Sequence, residues 1–353
     1  MPEKSHRESR DILRIGWVGL GPFSFYGGYI TTINSILHDY YFLNMRVTHI
    51  WADDYAKNYK GSAEFVGKNV EYWTTGPNSM ATRAKEFGIP NICENYTDMV
   101  DEVDAAMIMD FDRAYELAEP FIRRGLPVFL CSPVAVSVPE CERILDLAEA
   151  HGSAVYSGSF TVDMQENLIR NHKVKRDNIA AFFSSTSHQF FTSYANDGLE
   201  PIHRLIGNGV RRVTLTGWDG SQGYDPDRIP VSRIHLEYYP RGEYPPIQGV
   251  LTLGGFKRET NWFKVYYHDH SLLEGTANRG ARELVHRDFL INIQEVFATN
   301  KSLETREDIL HKQKVVVAAY KSANEGNRPV DIDEVGDYRL PTVRIEKWDE
   351  IPE

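Results

Sequence analysis

The sequence predicts an α/β protein of two domains: an N-terminal Rossmann-type, doubly wound parallel sheet, then an α+β domain built on a largely antiparallel open sheet. Three observations carry this expectation. The 353 residues exceed what one hydrophobic core usually organises. Strand and helix patterns alternate from Leu13 to about Tyr156, and right-handed crossovers then require a mainly parallel sheet with helices on both faces. Beyond Ser157 the pattern changes to longer strands parted by Gly, Pro and Asp turns. The domains are expected at 13–156 for the nucleotide-binding unit and 157–330 for a substrate and oligomerisation unit, with a flexible tail over 1–12 and an extension over 331–353.

The first strand is the apolar run Leu13 to Leu20, ended by Gly19 and Gly21 and followed by the helical spacing of Ile30, Ile33 and Leu37. Arg46 to Ala52 forms the second strand, stopping at Asp53-Asp54. A helix over Met80 to Phe87 ends at Gly88 and leads to a strand at Ala105 to Met109. Leu117, Ala118, Phe121 and Ile122 give the helix Ala114 to Arg124 one apolar face, and Gly125 ends it before the strand Pro127 to Leu130. Ser137 and Glu140 have capping-box spacing with Pro139 in the first turn, predicting a helix up to Gly152. In the second domain, Ala180 to Phe191, Arg211 to Thr216, Ser232 to Tyr239, Gln248 to Leu253 and Asn261 to Tyr267 read as strands. Thr305 to Ala323 reads as a capped helix able to pack on either domain.

Composition narrows the function. A formal charge of -11 repels phosphate backbones and anionic lipid, which argues against nucleic-acid and membrane partners. The three cysteines, Cys93, Cys131 and Cys141, show neither CxxC spacing nor an even framework, and the polar N-terminus has no apolar signal region; a reducing cytoplasm is the expected compartment.

The chemistry begins at Gly19-Leu20-Gly21-Pro22-Phe23-Ser24. After a strand and before a helix, the first glycine permits a tight turn and the second lets backbone N–H groups approach a pyrophosphate at the helix N-terminus. Ser24 stands where Gly or Ala is usual, and glycine also serves ordinary strand-to-helix turns. Asp53, ending the second strand, is placed to accept hydrogen bonds from an adenosine ribose, which favours NAD while leaving NADP open; a solvated loop carboxylate is the plainer alternative. The separation from Gly19 to Asp53 exceeds the usual ~20 residues, so the connection must be extended.

The order of elements, the segment Asp104-Ala105-Ala106-Met107-Ile108 through Gly125-Leu126-Pro127-Val128-Phe129-Leu130-Cys131-Ser132-Pro133, and the later Asn196-Asp197-Gly198-Leu199-Glu200 resemble the Gfo/Idh/MocA oxidoreductase family. The ending Phe289 to Val330 is similar as well, so the resemblance covers nearly the whole chain. It implies a nicotinamide enzyme acting on sugars, cyclitols or related polyols, with substrate held between the second sheet and the cofactor. Asp110, Ser132 and Pro133, after the third and fourth strands of the alternation, join Gly19, Gly21, Ser24 and Asp53 on the cofactor side. Three departures stand out. The family's Glu-Lys-Pro turn is Cys131-Ser132-Pro133 here, Asp197 occupies the position resembling the catalytic histidine of a His-Gly-x-Glu motif, and Tyr115 lies where a histidine often follows.

Oxidation of an alcohol needs a base for the hydroxyl proton. Ser132 cannot serve unaided, whereas Asp197 can if burial raises its pKa, with Glu200 or His203 sharing the proton. His188, on the strand leading toward Asp197, is a further candidate, against the reading of a hydrogen-bonded sheet histidine. The alternatives are a non-redox lyase or glycoside-processing enzyme on the same scaffold, or a catalytically silent nucleotide- or sugar-binding protein. His268-Asp269-His270 would set two imidazoles on one side of an extended segment; with no further ligands identifiable, no metal is expected. Trp218, Trp262, Tyr194, Tyr266 and Tyr267 offer platforms for a sugar ring, or ordinary sheet packing. An open second sheet with one face to cover predicts a homodimer or homotetramer.

Overall fold

The computed structural model describes residues 12–19, 30, 33–34, 43–52, 84–158, 174–186, 191–218, 231–253, 260–278 and 282–341; the side chains of 52, 186, 191–197, 260–261, 276–278 and 282–288 are outside that description. The first sheet has six strands, β1 Leu13–Gly19, β2 Met45–Ala52, β3 Asn91–Ile92, β4 Ala105–Ile108, β5 Val128–Leu130 and β6 Val155–Ser157. All its pairings are parallel, in the order β3-β2-β1-β4-β5-β6. This is the doubly wound arrangement, whose order reverses between β1 and β4 and opens a crevice at the carboxyl ends of those strands.

Parallel strands buried on both faces read as continuous apolar runs, and β4, β5 and β6 are buried at every position. Helix α1, Ala114–Arg123, lays Leu117, Ala118, Phe121 and Ile122 on the sheet, while its only interior breaker, Pro120, leaves the helix intact. Helix α2, Val138–His151, starts at Ser137, whose hydroxyl accepts from the Glu140 amide at 3.3 Å, and ends at Gly152 in the left-handed region. The return half of the predicted capping box is replaced by a tertiary contact: the Glu140 carboxylate takes the backbone amide of Tyr115.

The second sheet runs β12-β11-β7-β10-β9-β8-β13, with β7 Ile179–Thr186, β8 Val210–Thr216, β9 Ser232–Tyr238, β10 Gln248–Leu253, β11 Thr260–Tyr267, β12 Leu272–Asn278 and β13 Val330–Asp331. Every pairing is antiparallel except β7 with β10. Strict alternation in β9, with Ile234, Leu236 and Tyr238 in and Arg233 and His235 out, shows one face on the core and the other open. Helices α3, Phe191–Ile206, and α5, Arg306–Asn324, cover the inner face. Gly249 is required there: a Cβ at that position would fall 2.0 Å from the Phe182 ring.

Two expectations are corrected. The strand read over Ala180 to Phe191 ends at Thr186, and Phe191 already opens α3, because Phe191 to Ile206 carries a helical rather than a two-residue period. Residues 268–270 are not extended: they turn β11 into β12, with His270 at φ +64°. The sequence interval assigned to the second domain also returns a helix to the first. Helix α4, Arg282–Thr299, sinks Phe289, Leu290, Ile293, Val296 and Phe297 into the core holding Ile15, Trp17 and Phe129, with the Phe289 and Phe129 rings edge-on at 5.6 Å. Asn300 then pins the helix exit, accepting from the Ala154 amide at 2.8 Å and donating to the Gly152 carbonyl at 2.9 Å. Helix α5 bridges both units: Ile309 packs with the first domain and Val315 to Tyr320 with the second.

Candidate active site

The crevice at the carboxyl ends of β1, β4, β5 and β6 gathers the described candidates. Gly19 closes β1 at φ +106°, and a Cβ there would sit 2.8 Å from the Asp110 Cβ and 3.2 Å from its amide nitrogen. Only glycine fits that approach between two strand ends. Asp110 follows β4 and is buried; its Oδ1 accepts from the Asp112 amide at 3.0 Å, and its Oδ2 accepts from Arg113 Nε at 3.2 Å and Nη2 at 3.0 Å. The carboxylate thus holds the turn into α1. Arg113 in turn lies over the Trp51 ring, 5.6 Å from its centre, near the end of β2.

Ser132 and Pro133, joined by a cis peptide, begin the turn after β5. Gln313 on α5 fixes the next two residues of that turn: its Oε1 accepts from the amides of Val134 at 3.1 Å and Ala135 at 3.4 Å, and its Nε2 donates to the Ala135 carbonyl at 2.7 Å. All of these atoms are buried, where unmet backbone groups cost about 1–3 kcal/mol each. Cys131, fully buried, has its thiol pushed well above the usual range by that burial and by nearby Asp110, which leaves it a packing residue. Tyr115 lies beneath the guanidinium of Arg143 at 4.0 Å.

Joined through Lys312 to the end of β6, α3 carries the expected catalytic segment. Asp197 lies on its helical backbone, with its side chain outside the described part, and Glu200 follows one turn later. Gly21, Ser24, Asp53 and His188 lie outside the described residues, as does the side chain of Tyr194. Glu200 is buried, and its Oε1 accepts from Lys312 Nζ at 2.8 Å. Burial pushes its carboxyl up to about 7, with Lys312 pulling down and Glu304 pushing up. His203 is mostly buried, at 11% side-chain exposure, and desolvation, then the charge of Lys312, holds its imidazole down at about 3. A neutral imidazole beside Lys312 is a poor proton donor at pH 7, so the expectation that His203 shares a proton gives way to Glu200 and its ammonium partner.

Sequence reasoning missed Lys312 and Gln313. The signal was present: counting from Ile309, both fall on the i+3 and i+4 positions of the stripe that α5 buries, ahead of Val316 and Tyr320. Two polar residues on a buried stripe demand partners, and both found them at the strand ends.

The remaining candidates have packing roles. His268 stacks on Tyr244 with ring centres 4.2 Å apart, and the Asp269 carboxylate accepts from Lys175 and from the Ser271 amide at 3.0 Å each. Among the described residues, no three His, Cys, Asp or Glu side chains gather as metal ligands. Trp218 packs edge-on to Tyr320, Tyr267 is buried, and Tyr266 lies on the open face of the second sheet. No helix among the described residues is long and apolar enough to cross a membrane.

Comparison with known proteins agrees with this architecture. Residues 48–159 match the model of the Gfo/Idh/MocA oxidoreductase family with an NAD-binding Rossmann fold. No curated protein matches the sequence. Among solved structures, scyllo-inositol dehydrogenase from Lactobacillus casei, crystallised with NAD(H) and scyllo-inositol, superposes with a TM-score of 0.62 at 14% identity, covering 91% of this chain and 99% of that one. A probable dehydrogenase from Thermotoga maritima gives 0.66 at 13% identity, over 92% and 100% of the two chains. Biliverdin reductase from Synechocystis sp. PCC 6803, in complex with biliverdin and NADP+, gives 0.60 at 14%, over 88% and 98%. At such identities the likeness establishes the fold.

Proposed function

We propose that this chain, whose residues 48–159 belong to the Gfo/Idh/MocA oxidoreductase family, is an NAD-dependent oxidoreductase acting on a cyclitol, sugar or related polyol. The observation that carries the reading is the crevice itself. At the point where the strand order reverses, Gly19 turns tightly against Asp110, and a Cβ at that glycine would collide with the neighbouring strand end. The fit favours a dinucleotide, whose diphosphate needs backbone amides at close range with no side chain between. Asp53 would take the ribose hydroxyls, and the turn of Ser132 and Pro133 would border the nicotinamide end. When bound, the cofactor supplies a hydride acceptor at its nicotinamide ring.

The chain must then orient the alcohol and remove its proton. Asp197 is the residue assigned that proton, with His188 as the second candidate. Glu200 meets Lys312 inside the protein, so it acts on the site through α3 rather than by touching substrate. With Ser132 in the turn after β5, no ammonium is offered from that position. Asp197→Asn is expected to abolish turnover, read as nicotinamide absorbance against a panel of sugars and cyclitols, while calorimetric NAD affinity stays within about twofold. Undiminished turnover in that variant would remove Asp197 from the mechanism, and a wild-type protein with no affinity for NAD or NADP would end the oxidoreductase reading.

The open face of the second sheet supports a symmetric homodimer. Phe183 on β7 and Tyr266 on β11, 43% and 41% exposed, contact each other edge-on toward the β12 edge, where Leu272 pairs with Tyr266. An apolar strip of this kind on an uncovered sheet favours burial against a second copy.

A further inference from the structure

One buried ammonium joins the two halves of the molecule. Lys312 Nζ on α5 donates to Glu200 Oε1 on α3 at 2.8 Å, to Glu304 Oε1 before α5 at 2.6 Å, and to the carbonyl of Ser157 at the end of β6 at 3.2 Å. An ammonium has three N–H donors, and these acceptors use all of them. The side chains of Lys312, Glu200 and Glu304 are 9%, 3% and 6% exposed, so water screens none of the charges well.

The charges in this cluster do not balance. Two carboxylates meet one cation, and a buried unpaired carboxylate takes up a proton rather than remain ionised. Glu304 Oε2 is buried without a hydrogen-bond partner, so among the described residues Lys312 is the one group that holds this carboxylate. Among the described residues, the surroundings supply no substitute. His203 on α3 and His311 on α5 are held neutral by burial, the Cys141 thiol on α2 is pushed up to about 12 and the Tyr238 phenol on β9 higher still. Asp308 on α5 adds negative charge near His203, and Arg204 on α3 exerts only a lesser attraction on Glu200. A cavity of about 20 Å³ borders Glu200, His203, His311 and Lys312, room for about one water to carry a proton in or out.

We propose that Lys312 is a positioning residue of the site and that Glu200 carries a proton beside it, facing the charge of Glu304, so that the seating of α3, with its Asp197 turn, against the end of β6 depends on that proton. With the proton present, the cluster is neutral and α3 is drawn onto α5 and β6. Loss of the proton leaves two carboxylates repelling each other across one cation, and the Asp197 turn loosens. The Glu200 carboxyl agrees, since burial and the charge of Glu304 outweigh Lys312 in raising it. The proton arrangement stands on the geometry of the cluster; its effect on chemistry rests on the oxidoreductase reading above.

The full-length protein tests both parts. Infrared spectra across neutral pH are expected to show a protonated carboxyl band that titrates near pH ~7 and is lost in Glu200→Gln. In Glu304→Gln the repelling carboxylate is gone, and the midpoint should fall by about a unit, a tenfold change in proton affinity. The pH profile of polyol-dependent NAD reduction should move with it, and Lys312→Arg should keep turnover where Lys312→Met loses it. If Glu200→Gln leaves the infrared titration unchanged, or if Glu304→Gln leaves the turnover profile where it was, the proposal is overturned. If no polyol is turned over by the wild type, the function is wrong while the infrared titration still decides the proton on Glu200.

Discussion

Acid should destabilise this protein through two histidines, and His203 isolates the effect. His203 is 11% exposed, 3.8 Å from the Asp308 carboxylate, with its ring centre 5.9 Å from that of His311. The His311 Nε2 is committed to accepting from the Val210 amide at 3.4 Å, a bond that protonation would break. Burial holds the two imidazoles at about 3 and about 4, against 6.5 when unfolded. Both folded values are depressed, so between those values and 6.5 the unfolded chain binds more protons and stability is lost as pH falls. From pH ~7 to pH ~5 each histidine costs about 2 kcal/mol by proton linkage. Glu200 opposes them: its value is raised from 4.5 to about 7, so its stabilisation is lost as pH rises and regained on the same descent, by about 2 kcal/mol. These three groups together therefore cost about 2 kcal/mol. Urea unfolding at the two pH values, for wild type and His203→Gln, measures the difference directly, because other titrating groups largely cancel between variants. The variant should lose about 2 kcal/mol less than wild type over that interval. Equal losses in the two proteins would mean that His203 is not buried in neutral form.

Two further outcomes test the crevice and the open sheet. Gly19→Ala places a Cβ 2.8 Å from that of Asp110 on a backbone at φ +106°, so it should cost at least about 1–2 kcal/mol of stability and weaken NAD binding at least about tenfold; wild-type affinity in a calorimetric titration would contradict the close backbone approach. Light scattering at micromolar concentration should give twice the protomer mass, and Phe183→Lys, which puts a charge in the exposed strip, should return a monomer; a wild-type monomer would refute the dimer.

Much of the first domain was legible because its signals are local. The cap at Ser137, the glycine stop at Gly152 and the apolar face of α1 each lie within one helix, and the observed elements start and stop within a residue or so of the expected places. The strand ends at Gly19 and Leu130 follow for the same reason. The strand assigned through Phe191 failed because a run with no glycine or proline does not announce where a two-residue period becomes a helical one. His268 and His270 failed because left-handed backbone at a non-glycine residue leaves no mark in composition.

By itself the sequence determined the class of fold, the run of alternating elements and the family resemblance, since hydrophobic period, turn residues and motif order are all written along the chain. Tertiary structure alone decided that α4 belongs to the first core, that Gln313 holds the turn after Ser132, and that Glu200 meets Lys312 across 112 positions. Those facts depend on which distant groups become buried together. Burial is also what turns an ordinary glutamate, lysine or histidine into one with an altered charge, and no local pattern records it.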